Sequence, residues 1–349
     1  MAGRQPEPVS GKVSDRTSEN ILLEVTDLTV RLSSGVPAVD RVSFRIRRGE
    51  CLALVGESGC GKTLTALSLL HSVPVEVGES KAASLKLAGR EISNPPGSEL
   101  REIRGGRISM IFQDPRAALD PLFTVGDQMV ETLRSHLPLS RSRAVQQALS
   151  ALEEAGIAEC RRVFRSYPHQ LSGGQCQRAT IALALSTGPE LLIADEPTTA
   201  LDVTVQRQIL DLLIGLGRKK GLAVLLITHN LSVVAQLADR VLIMYAGQIV
   251  ESAQLEEIFS GALHPYTRAL LDCLPALDQP PAEPASIPGT VPQPGEWPSG
   301  CRFRPRCAFA APGCEKEQAL EAFGRESGRL ARCWRSAGID FTGSGGGAP

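Results

Sequence analysis

The most informative stretch of this sequence is Gly56-Glu-Ser-Gly-Cys-Gly-Lys62-Thr63. It fits G-x-x-x-x-G-K-[ST] and lies between the apolar run CLALV (51–55) and a helical pattern, which is the context of a phosphate-binding loop. Glycines let backbone N–H groups turn toward phosphate oxygens, and the following helix points its positive end at the same anion. A chance glycine turn is the alternative. The residues predicted to bind nucleotide phosphates are Gly56, Glu57, Ser58, Gly59, Cys60, Gly61, Lys62 and Thr63.

Short apolar runs alternate with helical patterns on both sides of this loop. Such alternation predicts a parallel sheet with helices on both faces. Residues 116–170 are mainly helical, which indicates an inserted subdomain. After an alternating, β-rich segment over 21–50, the predicted strands are 51–56, 84–89, 107–113, 191–195, 223–228 and 241–247.

The composition sets limits on the function. Apolar residues make up 42% and charged residues 21% of the 349 residues, which is typical of a soluble globular protein. Lys plus Arg (37) balance Asp plus Glu (38), which argues against a nucleic-acid binder. No apolar run is long enough to cross a bilayer, and the first twenty residues lack a signal-peptide core. We therefore expect a cytoplasmic chain that meets a membrane only through partner proteins.

Two adjacent carboxylates end another predicted strand, Leu191-Leu-Ile-Ala-Asp195-Glu196. If this strand neighbours the one before the phosphate loop, both acids lie beside the phosphates. Asp195 is then predicted to hold Mg²⁺ together with the Thr63 hydroxyl. Glu196 is predicted to act as general base on the attacking water. The alternative is a pair of solvated turn acids.

The string Leu171-Ser-Gly-Gly-Gln175 is the signature of the ABC ATPase family, and the sequence resembles that family over about residues 22–260. The motifs arrive in the family's order, with Gln113 in the Q-loop, Ala200-Leu-Asp202 as the D-loop and His229 as the switch histidine. The resemblance implies that Gln113 reaches Mg²⁺ and the attacking water, and that His229 contacts the γ-phosphate. A lone histidine after a strand is otherwise more often structural.

The resemblance also implies a partner subunit. The signature opens a helix from about Gly174, so its N–H groups form a second anion site. In the family this site grips ATP held by the other subunit, and two subunits enclose two nucleotides head to tail. Leu32 stands where the family usually stacks an aromatic residue on adenine. The residues implied to bind ATP across the interface are Ser172, Gly173, Gly174 and Gln175.

The expected fold class is α/β, a P-loop NTPase of ABC type. It comprises a RecA-like parallel sheet, an antiparallel β subdomain, an inserted helical subdomain and a small Cys-containing C-terminal module. The expected division is a disordered tail (1–20), an ATPase domain (21–260) with its helical subdomain at about 115–175, a C-terminal extension (261–340) with a Pro-rich linker (275–299), and a flexible tail (341–349).

Three segments resemble dipeptide and oligopeptide importer ATPases, namely residues 112–129, 264–271 and 300–307. The resemblance implies an ATPase on the cytoplasmic face of the cell membrane, bound to two permease subunits, a second ATPase in a heterodimer, and an extracytoplasmic substrate-binding protein. Nickel chelates and glutathione are alternative substrates. A non-transport ABC ATPase is another alternative, although residues 63–171 lack the sustained heptads of a coiled-coil insertion.

Four of the nine cysteines crowd the C-terminal region with the spacing C-x5-C-x6-C-x18-C. Four thiolates in a short module suit an iron–sulfur cluster or zinc. The absence of a C-x2-C pair disfavours zinc, and a reducing cytosol disfavours disulfides. Some peptide-importer ATPases hold a four-iron cluster here, so the resemblance implies [4Fe-4S] with a structural role. The implied ligands are Cys301, Cys307, Cys314 and Cys333.

Overall fold

The computed structural model describes residues 20–198, 203–274, 286–323, 328–336, 338–339 and 341. The strands are β1 (Ile21–Leu32), β2 (Pro37–Arg47), β3 (Cys51–Val55), β4 (Gly78–Lys81), β5 (Ser84–Leu87), β6 (Arg90–Glu91), β7 (Ile108–Ile111), β8 (Leu191–Asp195), β9 (Ala223–Thr228), β10 (Arg240–Tyr245), β11 (Gln248–Gln254), β12 (Glu321–Ala322) and β13 (Leu330–Ala331). The helices are α1 (Lys62–Leu69), α2 (Gly97–Ile103), α3 (Val125–His136), α4 (Arg141–Glu154), α5 (Cys160–Arg165), α6 (Gly173–Leu185), α7 (Val203–Lys220), α8 (Leu231–Leu237), α9 (Leu255–Ser260) and α10 (Pro265–Asp272).

The main sheet has the strand order β12-β13-β11-β10-β3-β9-β8-β7. Strands β10, β3, β9, β8 and β7 are parallel, and β11, β13 and β12 add antiparallel at one edge. Strands β8 and β9 are buried along their whole length, as expected for parallel strands covered on both faces. Because these strands are neighbours, the residues that follow them meet at one edge of the sheet.

The smaller sheet is antiparallel, in the order β2-β1-β5-β6 with β4 also paired to β1. Burial alternates along β2, which shows the period of a strand with one face on the core. This sheet packs into the same apolar cluster as β3, α1 and part of the parallel sheet. It corresponds to the predicted antiparallel subdomain.

Helices α3, α4 and α5 form a separate layer with their own apolar cluster, to which α6 contributes. Thr124 and Ser140 cap the first two helices, each accepting a backbone N–H in the first turn. The cluster includes Met129, Leu133 and Leu152, which are fully buried. This layer corresponds to the predicted inserted helices.

The C-terminal region packs onto the ATPase body. Beyond helix α10, residues 286–300 form no helix or strand, and a short 3₁₀-helix lies at Arg304–Arg306. Phe303 is buried against Tyr245 and Tyr266, with ring centroids 5.3 Å away in both cases. No helix of the described residues could span a membrane.

The predicted fold class is confirmed. Five strands were missed, β4, β6, β11, β12 and β13; the longest is β11, whose sequence QIVESAQ is largely polar. The predicted tails lie almost wholly outside the described residues, as do positions 275–285 of the linker.

Candidate active site

The phosphate loop joins β3 to α1 and folds tightly against the end of β10. A Cβ atom on Gly56 would lie 2.2 Å from the Met244 carbonyl oxygen, so only glycine fits this approach. Gly61 has φ +107°, which a side chain would strain. The buried Lys62 ammonium donates to the carbonyl oxygens of Gly56 (2.8 Å) and Glu57 (2.9 Å). The predicted loop residues are therefore brought together around one lysine.

Thr63 and Asp195 meet across the gap between loop and sheet. The Thr63 hydroxyl donates to Asp195 Oδ2 at 2.8 Å. Burial raises the pKa of the Asp195 carboxyl, and the Thr63 hydrogen bond opposes that rise. A hydroxyl and a carboxylate are the hard oxygen donors that Mg²⁺ prefers, so this pair fits the predicted magnesium site.

Glu196 lies at the centre of a second contact group. Gln113 Nε2 donates to Glu196 Oε2 at 3.0 Å, and His229 Nδ1 lies 2.8 Å from Glu196 Oε1. Glu196 has φ +46°, an uncommon backbone conformation for a non-glycine residue, and its N–H donates to the Ile227 carbonyl oxygen. Side chains that follow β7 and β9 thus converge on the carboxylate that follows β8. The sequence predicts contacts of Gln113 with Mg²⁺ and water and of His229 with the γ-phosphate, so their shared contact with Glu196 is seen only in the structure.

The signature residues form the N-terminus of α6. Ser172 Oγ accepts the Gln175 N–H, and the Gln175 side chain accepts the Ser172 N–H, each at 3.3 Å. This capping box leaves the N–H groups of Gly173 and Gly174 at the open helix end. Among the described residues, no hydrogen bond or ion pair joins these four to the phosphate loop.

Two other positions were predicted to contribute to nucleotide binding, Asp202 and Leu32. Asp202 of the predicted D-loop lies outside the described residues. Leu32 is partly buried at the end of β1, where its N–H donates to the Val36 carbonyl oxygen.

The four C-terminal cysteines line one small cavity, together with Phe303. All nine cysteines of the chain are free thiols. Burial raises the pKa of the Cys301, Cys307 and Cys333 thiols, that of Cys307 to about 11. Within the described part of the chain, no three Cys, His, Asp or Glu side chains are close enough to share a single metal ion.

Sequence reasoning missed two residues that contact the phosphate loop. The Glu57 carboxylate pairs with both terminal nitrogens of Arg306, at 2.8 and 3.0 Å. The Glu57 N–H donates to Tyr266 Oη at 2.9 Å. Both partners lie in the C-terminal extension, more than 200 positions away along the chain. They fall within the segments 264–271 and 300–307 that resemble peptide-importer ATPases, but nothing in those segments indicates a contact with the loop.

Comparison with known proteins agrees with this geometry. The ABC transporter family model matches residues 39–199, and the model of the oligopeptide/dipeptide transporter C-terminal region matches 250–314. The oligopeptide transport ATP-binding protein AppD of Bacillus subtilis is 44% identical, over 90% of this chain and 96% of its own. The corresponding OppD of Salmonella typhimurium is also 44% identical, over 90% and 94%.

Solved structures give the same fold. The ATP-binding cassette MJ0796, in a dimeric post-hydrolysis state bound to ADP and Pi, has 27% identity and a TM-score of 0.60, covering 67% of this chain and 99% of that one. CbiO1 of Clostridium perfringens, part of the ABC transporter complex cbiONQ, has 26% identity and a TM-score of 0.60, over 69% and 92%. Motifs, site geometry and relatives agree that the chain is an ATPase and belongs to the ABC transporter family, among the ATP-binding subunits with an oligopeptide/dipeptide-type C-terminal region.

Proposed function

We propose that this chain hydrolyses ATP to energise the import of di- or oligopeptides. The observation that carries the proposal is the convergence of Lys62, the Thr63–Asp195 pair and the Gln113–Glu196–His229 group at the carboxyl ends of neighbouring strands. Peptides are the substrate class named for AppD and OppD, which match nearly the whole chain.

The residues divide the work by their chemistry. Lys62 and the loop N–H groups bind the phosphates, which the helix dipole of α1 also favours. Thr63, Asp195 and Gln113 supply oxygen ligands for Mg²⁺, which neutralises phosphate charge when bound. Glu196 accepts the proton of the attacking water, because its carboxylate lies beside the magnesium pair. His229 orients Glu196 by donating its Nδ1–H to the carboxylate, and its Nε2 faces the γ-phosphate.

The site is completed by a second subunit, in this proposal. The open N-terminus of α6, at Ser172 and Gly174, offers N–H groups to an anion. In this proposal the anion is the phosphate of an ATP that is bound by the loop of the other subunit. The MJ0796 cassette is dimeric with ADP and Pi, which supports a nucleotide enclosed between two cassettes. We expect Ser172→Arg to abolish the ATP-dependent dimer that the Glu196→Gln form makes with its partner ATPase subunit in size-exclusion chromatography. An unchanged dimer would contradict completion across the interface.

The transport assignment is tested by uptake. A strain lacking this chain is complemented with wild type, Lys62→Ala or the partly exposed control Lys86→Ala, and accumulation of a radiolabelled tripeptide is measured. We expect uptake with wild type and Lys86→Ala only. Uptake of labelled glutathione or of a nickel chelate in place of the peptide would assign the alternative substrates. No change for any solute would favour a non-transport ATPase.

The proposed assembly contains a second, different ATPase subunit, two permeases and an extracytoplasmic substrate-binding protein, with this chain peripheral on the cytoplasmic face. The division at about residue 260 into ATPase domain and extension belongs to the same proposal. Affinity purification of the tagged chain from detergent-solubilised membranes should recover both permeases and a second ATPase. Recovery of the chain alone from the soluble fraction would contradict it.

We also propose that Cys301, Cys307, Cys314 and Cys333 hold a [4Fe-4S] cluster. The proposal is supported by their place around one small cavity, and four thiolates are the usual ligand set of such a cluster. Anaerobically purified protein should be brown and absorb in the visible range, and Cys333→Ser should lose that absorbance. Stoichiometric zinc without visible absorbance would assign zinc, and absence of both would leave four free thiols.

A further inference from the structure

The C-terminal extension contacts the phosphate loop directly through Glu57. We propose that Tyr266 and Arg306 are positioning residues for this loop, so that the affinity for ATP depends on how the extension is folded. The proposal rests on the proposed function of the loop as the ATP site. It adds to that function two residues from outside the nucleotide-binding motifs.

The first contact fixes one peptide plane of the loop. The Gly56 carbonyl oxygen accepts from Lys62 Nζ, and the N–H of the same peptide, on Glu57, donates to Tyr266 Oη at 2.9 Å. Tyr266 is fully buried, and its own N–H donates to the imidazole of His264 at 3.0 Å. Since one plane is held from both sides, the lysine that binds phosphate has its position set partly by Tyr266.

The second contact fixes the Glu57 side chain. A guanidinium has five N–H donors, and Arg306 uses all of them. Nε donates to the Pro288 carbonyl oxygen at 2.8 Å, Nη1 to Glu57 and Tyr245 Oη, and Nη2 to Glu57 and the Ile287 carbonyl oxygen. The Arg306 side chain is only 5% exposed. The extension therefore fixes the orientation of the Arg306 guanidinium, and the guanidinium fixes the Glu57 side chain of the loop.

The same short segment borders the cysteine cavity. Arg306 ends the 3₁₀-helix at Arg304–Arg306, Cys307 follows it, and Phe303 precedes it. Phe303 and Cys307 both line the cavity, and Phe303 also packs on the Tyr266 ring. Cys307, which lines the cavity, is thus the sequence neighbour of Arg306, so a change at the cavity can shift the guanidinium that contacts the loop.

Nucleotide binding by the full-length chain tests the proposal. The dissociation constant of a fluorescent ATP analogue is measured for Arg306→Met, Arg306→Lys, Tyr266→Phe and the control Glu317→Gln. Glu317 pairs with Arg41 between the extension and β2, but both side chains are exposed, and among the described residues no hydrogen bond or ion pair joins either to the loop. We expect about tenfold weaker binding for Arg306→Met, partial recovery with Arg306→Lys, a several-fold loss for Tyr266→Phe, and less than a twofold change for the control. Tenfold corresponds to about 1.4 kcal/mol.

A double-mutant cycle separates positioning from a general loss of structure. If Arg306 acts through Glu57, the pair Glu57→Gln and Arg306→Met binds ATP no more than twofold weaker than Arg306→Met alone. If the losses of affinity of the two single variants multiply in the double variant, the proposal is overturned. Should Arg306→Met fail to fold by circular dichroism, Glu57→Gln replaces it, with the same tenfold loss expected and control-like binding contradicting the proposal.

A wrong assignment of the ATP site would give a different pattern of binding from a wrong positioning role. Lys62→Ala should abolish binding of the analogue, and wild-type affinity in that variant would contradict the ATP site itself. If Lys62→Ala loses binding while Arg306→Met and Tyr266→Phe match Glu317→Gln, only the positioning role is refuted.

Discussion

Replacing Glu196 by glutamine should stop hydrolysis without weakening ATP binding. The two side chains have the same shape, and the Glu196 side chain is only 11% exposed. The amide oxygen can face Gln113 Nε2, and the amide nitrogen can face His229, whose Nδ1 accepts in its other tautomer. Both contacts therefore survive, and we expect a change of less than about 0.5 kcal/mol in the free energy of unfolding.

Loss of a general base costs about 10² to 10⁴ in rate, which is about 2.7–5.5 kcal/mol of activation free energy. Phosphate release at saturating Mg-ATP should fall by that factor in Glu196→Gln, with the dissociation constant for ATP unchanged within twofold. Glu131→Gln, on the exposed face of α3, is the matched control and should retain full activity. Undiminished phosphate release in Glu196→Gln, or a parallel loss of ATP binding, would refute the assignment of Glu196 as base.

Three other perturbations have definite expected outcomes. Gly56→Ala should weaken ATP binding at least about tenfold, because its Cβ would lie 2.2 Å from the Met244 oxygen; Gly97→Ala, with open space around it, should not. Arg240→Met should lower the free energy of unfolding in urea by about 3–5 kcal/mol, because it removes the charged partner of the buried Glu50 carboxylate. An equal loss of stability in Arg268→Met, whose ion pair is exposed, would contradict this. Burial lowers the pKa of His264 to about 3, so the native state stays neutral while the unfolded chain gains a proton below about pH 6.5. Stability relative to His264→Asn should therefore fall as pH drops from 6.5 toward 3, by up to about 1.4 kcal/mol per unit, and a pH-independent difference would refute it.

The parallel core, and the meeting of the candidate site residues at one of its edges, could be predicted because their signals are local. Strands β3, β8 and β9 are continuous apolar runs, and each reactive group follows the end of such a run. Parallel pairing of neighbours then brings Lys62, Glu196 and His229 to one edge without further information.

The contacts of the extension could not be predicted, because they depend on partners far away in sequence. Arg306 and Glu57 are 249 positions apart, and each looks like an ordinary surface charge in its own segment. Strand β11 was missed for a similar reason. Its Glu251 is wholly buried because the carboxylate accepts hydrogen bonds from the N–H groups of Leu263 and His264, and these donors are brought to it only in the folded chain.

The pairing of β13 with β11 has a consequence for solubility. Ser252 lies opposite Leu330, and the Arg332 N–H donates to the Val250 carbonyl oxygen. Without this cover, β11 would present a bare row of backbone donors and acceptors, which is a template for intermolecular strand addition. A chain shortened before residue 328 would keep every motif for hydrolysis and yet be prone to aggregate from this side of its sheet.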